Sequence, residues 1–342
     1  MTTRNPAQPV AEWPRIACAA AMDRRGFLQC LGLGAAVTCA SGLSGCKSAP
    51  RLIVAVHPWV GYETLYLARE LKWLPDTVQL HDSKTLGESL AALRSGAAQA
   101  ACMTLDEMLR ARANGLPLSA ALVFDVSAGA DMVLARPGIE RLADLAKQRV
   151  GFDPDALGAL VFEKMLEAAG LPASAVTSVN VPPDRQLEAW RKNEVDAVIT
   201  YEPLASAFLR EGARIVYDSR QMPDTIIDVL TVRRDRSEVF TLVRALGAAH
   251  FRALDHLHTN EQDALFRISA RERTSLDETR RILAGVTLPS LAANRGYLVG
   301  QNAGLVGAAK SLSTLMVRRG LLSRADDLDK LILPGLLPDD ER

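Results

Sequence analysis

The chain has 342 residues with 40 basic and 40 acidic side chains, so its formal net charge at pH 7 is zero. This balance gives no electrostatic basis for binding nucleic acid, and no nucleic-acid partner is expected. The five cysteines and five histidines form no cluster with zinc-ligand spacing, so no metal is expected either.

The first 45 residues have the pattern of a bacterial export leader. A twin-arginine pair, Arg24 and Arg25, precedes a short apolar run, and the Leu-Ser-Gly-Cys sequence at 43–46 resembles a lipobox, in which the cysteine is acylated. The apolar run is too short to cross about 30 Å of hydrocarbon, which disfavours a membrane helix. We therefore predict a leader over 1–45, export of the chain, and attachment to the outer face of a membrane by lipid on Cys46.

The folded part is predicted to begin just after this leader. Met22 lies just before the arginine pair and is the better start, so residues 1–21 are interpreted as a start-site artefact. Residues 46–51 are polar and are interpreted as a lipid-anchored linker. Downstream of the acylated cysteine only Cys102 remains, so no internal disulfide is expected.

Short β-type runs then alternate with helical stretches, a pattern that favours an α/β fold with parallel-type sheets. Thr104 and Glu107 have the spacing of a capping box, which predicts a helix start there, and Gly115 predicts the end of that helix. The predicted elements in chain order are a strand at 52–56, a helix at 61–74, a strand at 77–80, a helix ending at Gly96 and a strand at 98–103.

The chain also repeats itself. Residues 53–115 align without gaps with residues 150–212, and the alignment pairs Gly61 with Gly158 and Gly115 with Gly212. Because strand starts, helix starts and helix stops coincide in one register, we predict two α/β lobes of related topology.

The connections between the repeats predict how the lobes are joined. Apolar strands at 131–135 and 225–232 are interpreted as the places where the chain crosses between the two lobes. From Glu238 onward the chain is mostly helical. We predict lobe I from residues 52–135 plus 220–342, including a helical C-terminal extension, and lobe II from residues 136–219. Such a two-lobed molecule has a hinged cleft, a common place for a small ligand.

Residues 57–70, with the sequence HPWVGYETLYLARE, resemble the first strand-to-helix turn of the nitrate/sulfonate/taurine (NitT/TauT-type) substrate-binding proteins of ABC transporters. Other stretches that fit the same group are residues 129–131, 139–150, 195–198, 201–203 and 227–230. The resemblance implies a periplasmic-binding-protein-like (type II) fold, a small-molecule solute, an ABC permease and ATPase as partners, a monomer, and no cofactor.

Two glycines and two aromatic residues are candidates for the walls of the site. Gly61 and Gly158 are predicted at equivalent helix N-termini, where free N–H groups and the helix dipole suit an anion. The alternative is that they only let a helix pack closely on a strand. Trp59 and Tyr62 are interpreted as an aromatic wall, with a core position as the alternative.

Several acidic residues point to a different kind of ligand. Glu63, Asp125, Asp131, Glu202 and Asp228 all fall at predicted turns or crossovers that face the cleft. Nitrate would prefer guanidinium or ammonium donors, whereas carboxylates suit a solute with an amine or several N–H groups, such as an aminosulfonate or an amino-heterocycle. Helix capping or simple exposure is the alternative for each of them.

The predicted ligand-binding set combines these candidates with Thr104, which also has a structural explanation as an N-cap, and with Tyr201. The full set is Trp59, Gly61, Tyr62, Glu63, Thr104, Asp125, Asp131, Gly158, Tyr201, Glu202 and Asp228.

Signatures of catalysis are weak. The chain contains no Gly-x-Ser-x-Gly, phosphate-loop, His-Glu-x-x-His or Cys-x-x-Cys motif. Thiamine-pyrimidine (NMT1-like) synthases resemble this group but use a lysine, a histidine and a cysteine-rich motif, and here only His57 lies in the first turn. We predict a solute-binding protein without catalytic residues; an exported enzyme acting on a pyrimidine-like substrate and a ligand-sensing lipoprotein are the alternatives.

Overall fold

The computed structural model describes residues 49–300 and 302–339. The predicted leader and the acylated Cys46 lie outside the described residues and stay predictions. From Pro50 onward the chain belongs to one compact unit. No helix in the described ranges combines the length and apolar character needed to cross a bilayer.

The strands are short, and most of them are buried. In chain order they are β1 (Leu52–Val56), β2 (Val78–Asp82), β3 (Ala100–Thr104), β4 (Leu118–Ser127), β5 (Asp131–Ala135), β6 (Arg149–Phe152), β7 (Thr177–Asn180), β8 (Ala197–Tyr201), β9 (Arg214–Asp218), β10 (Ile227–Arg233) and β11 (Val286–Thr287). Every residue of β3, β4 and β5 is buried, as is typical of strands covered by helices on both faces of the sheet.

These strands form two sheets. The first has six strands in the order β11-β4-β10-β3-β1-β2, and the second has five in the order β7-β6-β8-β5-β9. The predicted repeat is confirmed, because β2-β1-β3 and β7-β6-β8 are equivalent parallel triplets in the two sheets.

The sheets are mixed rather than purely of the predicted parallel type. Strand β10 is antiparallel to both β3 and β4, and β5 is antiparallel to both β8 and β9. The reason is connectivity: β4 and β5 carry the chain from the first sheet to the second, and β9 and β10 carry it back. Of these four strands, β5 and β10 run against the strand–helix units, whereas β4 and β9 run in the same direction as those units.

Helices cover both sheets and make up most of the C-terminal part. They are α1 (Glu63–Glu70), α2 (Leu86–Ser95), α3 (Leu105–Ala113), α4 (Gly158–Ala169), α5 (Pro183–Arg191), α6 (Leu204–Arg210), α7 (Phe240–Thr259), α8 (Glu261–Glu272), α9 (Leu276–Leu283), α10 (Leu291–Leu298) and α11 (Gly304–Arg318). The predicted α/β fold with a helical C-terminal part is confirmed.

The helix ends follow from local chemistry. The capping box predicted at the start of α3 is confirmed: the N–H of Thr104 donates to Glu107 Oε2 at 3.0 Å. Helix α2 begins where Thr85 accepts from the backbone N–H of Glu88, and it ends at Gly96, whose φ of +79° suits a residue without Cβ. The α3 cap also orients the carboxylates of Asp106 and Glu107 at the end of β3.

Candidate functional site

A cavity of about 40 Å³ is lined by residues of both sheets and of the helices that follow their strands. From the first sheet and its helices come His57, Trp59, Leu86, Thr104, Glu107 and Asp228. From the second come Asp131, Asp153, Ala156, Leu157, Gly158, Val161, Pro183, Gln186, Ile199, Thr200 and Tyr201. Carboxyl ends of strands in α/β sheets are a common place for ligands, and the cavity lies at such ends.

Strand register brings the polar residues together. Asp228 pairs with Asp125 of β4 on one side and with Thr104 of β3 on the other. In the second sheet Asp131 pairs with Tyr201 across β5 and β8. Residues that are far apart in sequence therefore become neighbours, and three buried aspartates share one region of the protein.

Asp125 lies behind the cavity wall and is held by the first turn after β1. The indole Nε1–H of Trp59 donates to Asp125 Oδ2 at 2.9 Å, while Oδ1 has no hydrogen-bond partner within the described protein. A Cβ added at Gly61 would overlap the Asp125 carboxyl group, so only glycine permits this approach. Burial raises the pKa of Asp125 to about 8, opposed by the Trp59 hydrogen bond and assisted by the charge of Asp131.

Asp228 is fully enclosed and paired with a tyrosine. The hydroxyl of Tyr62 donates to Asp228 Oδ1. Burial raises the pKa of Asp228 well above its usual range, and the neighbouring Asp125 raises it further. Both effects have one cause: two carboxyl groups share a region of low dielectric without a nearby cation.

Asp131 faces the cavity from the start of β5. It is 2% exposed, and its Oδ2 has no hydrogen-bond partner in the described part of the chain. Burial raises its pKa to about 7; a hydrogen bond from Ser127 opposes the shift, and the charges of Glu107 and Asp106 add to it.

The start of α3 joins the first-sheet side of the cavity to the second-sheet side. Glu107 Oε1 accepts from the backbone N–H of Leu157 at 3.1 Å. Arg110 donates to the carbonyl oxygens of Pro154, at 3.2 Å, and Ala156. The turn before α4 is therefore held by side chains of α3, the helix that follows β3 of the first sheet. These contacts form only when the first-sheet and second-sheet sides of the cavity lie close together.

The two predicted helix N-termini differ from the expected anion sites. The N–H of Leu157, just before Gly158, is already bound by Glu107. The second predicted anion site is Gly61, just before α1. This glycine packs against Asp125 and Trp59 and does not line the cavity. The donors that would suit an anion are thus partly bound by the protein's own carboxylate.

Two predicted carboxylates have other partners. Glu63 is buried at the start of α1 and forms an ion pair with Arg271 of α8. Glu202 accepts hydrogen bonds from the N–H and the hydroxyl of Ser206, both at 3.0 Å, and so caps α6. Neither lines the cavity, whereas Trp59 and Tyr201 do, with their rings edge-to-face at 5.9 Å.

Five polar residues of the cavity were not in the predicted set: His57, Glu107, Asp153, Gln186 and Thr200. Burial lowers the pKa of His57 to about 4, so its imidazole is neutral at pH 7. The capping-box motif identified Glu107 as a structural residue. Gln186 follows a Pro-Pro helix start, which signals α5 but not the direction of its side chain.

The described lining of the cavity is acidic. Among the described residues that line it, none is lysine or arginine, while four are aspartate or glutamate. No group of three or more His, Cys, Asp or Glu side chains suited to a metal ion occurs in the described ranges.

Residues 64–254 match the NMT1/THI5-like protein family. Since this match spans more than half of the chain, the chain belongs to that family, and the family resemblance predicted from the sequence is confirmed. No curated protein matches the chain by sequence.

Solved structures share its fold. The aliphatic sulphonate binding protein SsuA from Escherichia coli is 17% identical with a TM-score of 0.68, covering 84% of this chain and 99% of that one. The alkanesulfonate-binding protein SsuA from Xanthomonas axonopodis pv. citri is 18% identical with a TM-score of 0.67, covering 80% and 94%. The nitrate-binding protein NrtA from Synechocystis PCC 6803 is 14% identical with a TM-score of 0.55, covering 68% and 69%. At these identities the likeness establishes the periplasmic-binding-protein fold.

Proposed function

We propose that this protein is the solute-binding component of an ABC importer, exported and anchored by lipid on Cys46, which captures a small polar solute and delivers it to a permease. The observation that carries the proposal is the cavity, which is lined from both sheets and contains buried polar atoms without partners. Such atoms are destabilising unless a bound molecule or water completes their hydrogen bonds, which supports a binding site rather than a packing gap.

Capture is proposed to occur by closure of two lobes, one built on each sheet. The first boundary predicted from the sequence lies between residues 135 and 136, but β5 pairs in the second sheet, so we place this boundary at 128–130. The contacts of Glu107 and Arg110 with the turn at 154–157 support closure, because they cross from one lobe to the other beside the cavity. The short connections at 128–130 and 219–226 are the only covalent links between the lobes within the described ranges, and they would serve as the hinge.

Binding rather than catalysis is the proposed role. The two polar groups best suited to proton transfer, His57 and Asp131, are accompanied by no nucleophile with an adjacent base in the described cavity. The proteins named above are described as binding proteins, which supports the same role by analogy of fold. An enzyme on this fold, the alternative from the sequence, would turn over a bound pyrimidine-like compound.

A thermal-shift panel on the purified protein tests the proposal. The panel contains taurine, alkanesulfonates, nitrate, bicarbonate and amino-pyrimidines, which cover the solute classes considered from the sequence. A solute present at a hundred times its Kd should add about 2.7 kcal/mol to the free energy of unfolding. Absence of any shift across the panel, or conversion of a member into product, would contradict the proposed role.

Lipid anchoring requires a separate experiment. In bacterial cells fed radiolabelled palmitate, the chain should incorporate label and fractionate with membranes, because acylation of Cys46 supplies the anchor. The Cys46→Ala variant should lose both properties, whereas Cys102→Ala, which changes a buried cysteine of β3, should keep them. Equal labelling of the Cys46→Ala variant and the parent would contradict the anchor.

A further inference from the structure

Four buried polar atoms in the described lining of the cavity lack a hydrogen-bond partner: one ring nitrogen, His57 Nδ1, and three oxygens. Asp131 Oδ2, Gln186 Oε1 and Thr200 Oγ1 have no partner within the described protein, and each of these residues is 2% exposed. The orientation of Gln186 is determined by its surroundings: its Nε2 donates to the carbonyl of Ile199 at 3.0 Å, so the oxygen must be the unpaired atom. Both Asp131 and Gln186 require a donor from outside the chain.

Positive charge is absent from the same described surface. Arg110 follows Glu107 by one helical turn, but its guanidinium donates to the carbonyls of Pro154 and Ala156 and lies 3.8 Å from Asp106. Arg220, near the start of β10, pairs with Asp218 at 2.6 Å and is largely exposed. Neither arginine lines the cavity.

An anionic group in this cavity would lie against several carboxyl groups, and the described lining offers it only neutral donors, such as the Thr200 hydroxyl and the His57 ring. Asp131, Glu107 and Asp228 all line the cavity, and the N–H of Leu157 is already bound by Glu107. Burial of like charges close together is strongly unfavourable in a region of low dielectric. A positively charged group with N–H donors would instead complete the unpaired acceptors and neutralise the carboxylates.

We propose that the solute binds through a small cationic nitrogen group with two or more N–H donors, such as an amidinium, guanidinium or primary ammonium group, and not through an oxyanion. This inference rests on the proposed solute-binding function. Asp131 would accept a charge-assisted hydrogen bond, Gln186 and Thr200 would accept neighbouring N–H groups, and the rings of Trp59 and Tyr201 would flank the cation.

The size of the cavity limits the group that enters. A water molecule needs about 10–15 Å³ of such space, so the 40 Å³ present holds a head group of roughly three or four heavy atoms. An amidinium or guanidinium head has this size. A larger solute would require the lobes to remain further apart at the end opposite the aspartates.

Isothermal titration calorimetry with charge-matched probes tests the inference. Chloride salts of methylguanidinium, acetamidinium and ethylammonium are compared with sodium nitrate, sodium methanesulfonate and taurine, with sodium chloride as the blank. We expect at least one cation to bind and neither nitrate nor methanesulfonate to do so. The Asp131→Asn variant should weaken binding of that cation at least tenfold, because a charge-assisted bond becomes a neutral one. Asp76→Asn, at an exposed aspartate, should leave the affinity unchanged.

The outcomes separate the two proposals. Binding of nitrate or methanesulfonate without binding of any cation overturns the inference and leaves the solute-binding function standing. An affinity for the cation that is equal in the Asp131→Asn and Asp76→Asn variants overturns the proposed contact. Absence of binding by every probe counts against the solute-binding function itself. Far-ultraviolet circular dichroism of each variant verifies that the fold is retained.

Discussion

The unliganded protein should become more stable when Asp131 is replaced by asparagine. In the empty cavity this carboxyl group is buried and lacks a partner on one oxygen, so its ionised form is poorly solvated. Asparagine has nearly the same shape and keeps an oxygen for Ser127, but it carries no ionisable group. The residue is therefore expected to favour ligand binding at the expense of stability, as is common for functional residues.

The magnitude follows from the pKa of Asp131, which burial raises from 3.8 to about 7. Between these values the folded protein retains a proton that the unfolded chain releases, so stability decreases as pH rises. The decrease approaches about 1.4 kcal/mol per pH unit, or about 4 kcal/mol in all between pH 4 and pH 7. Above pH 7 both states are ionised and the difference stays constant.

Urea unfolding of the parent and of Asp131→Asn at pH 5, 6 and 7 measures this difference. The variant should gain stability relative to the parent as pH rises, by about 1 kcal/mol per unit. Other carboxyl groups also face Asp131, namely those of Asp106, Glu107, Asp125 and Asp228. Both proteins contain them, so their contributions to the pH dependence of stability largely cancel. A stability difference that is independent of pH, or one that shrinks as pH rises, would refute the reasoning. Asp76→Asn supplies the exposed control.

Three further substitutions test the structure around the cavity. Trp59→Phe removes the N–H that donates to Asp125, so the free energy of unfolding in urea should decrease by about 1–3 kcal/mol. Gly61→Ala places a Cβ against the same carboxyl group, and a loss of about 1–3 kcal/mol is expected in the same assay. Arg110→Ala removes the hydrogen bonds to the turn at 154–156, which should raise the Kd of a bound solute about tenfold in calorimetry.

Two of these, Gly61→Ala and Arg110→Ala, have matched controls. Gly307→Ala adds a Cβ in α11 where no atom lies within 4 Å, so it should not destabilise the protein. Arg185→Ala changes an exposed arginine paired with Glu188 and should leave the Kd unchanged. If Gly61→Ala is as stable as Gly307→Ala, the described packing of Gly61 against Asp125 is wrong. If Arg110→Ala binds solute as tightly as Arg185→Ala, the contact of Arg110 with the turn at 154–156 contributes nothing to solute capture.

Much of the fold could be predicted because it depends on local signals. The capping box at Thr104, the stop at Gly96 and the repeat over 53–115 and 150–212 are patterns that short-range chemistry enforces. The mixed direction of the sheets could not be predicted in this way. It depends on where β5 and β10 insert, which is a matter of long-range pairing.

The cavity was predicted in outline but not in its composition. Trp59, Asp131 and Asp228 were expected because they follow or begin strands that meet at one edge. Glu63 was expected for the same reason, yet it pairs with Arg271, which lies 208 residues away and could not be matched from the sequence. Gln186 was missed because its role depends on the carbonyl of another strand.

The central claim is that a small cationic group binds among the acceptors of the cavity. A crystal structure of the protein with the tightest-binding probe of the calorimetric panel tests it most directly. The account predicts the nitrogen of the probe within about 3.2 Å of Asp131 Oδ2, with further N–H groups directed at Gln186 and Thr200. A probe bound elsewhere, or an anionic group seated against these acceptors, would contradict it.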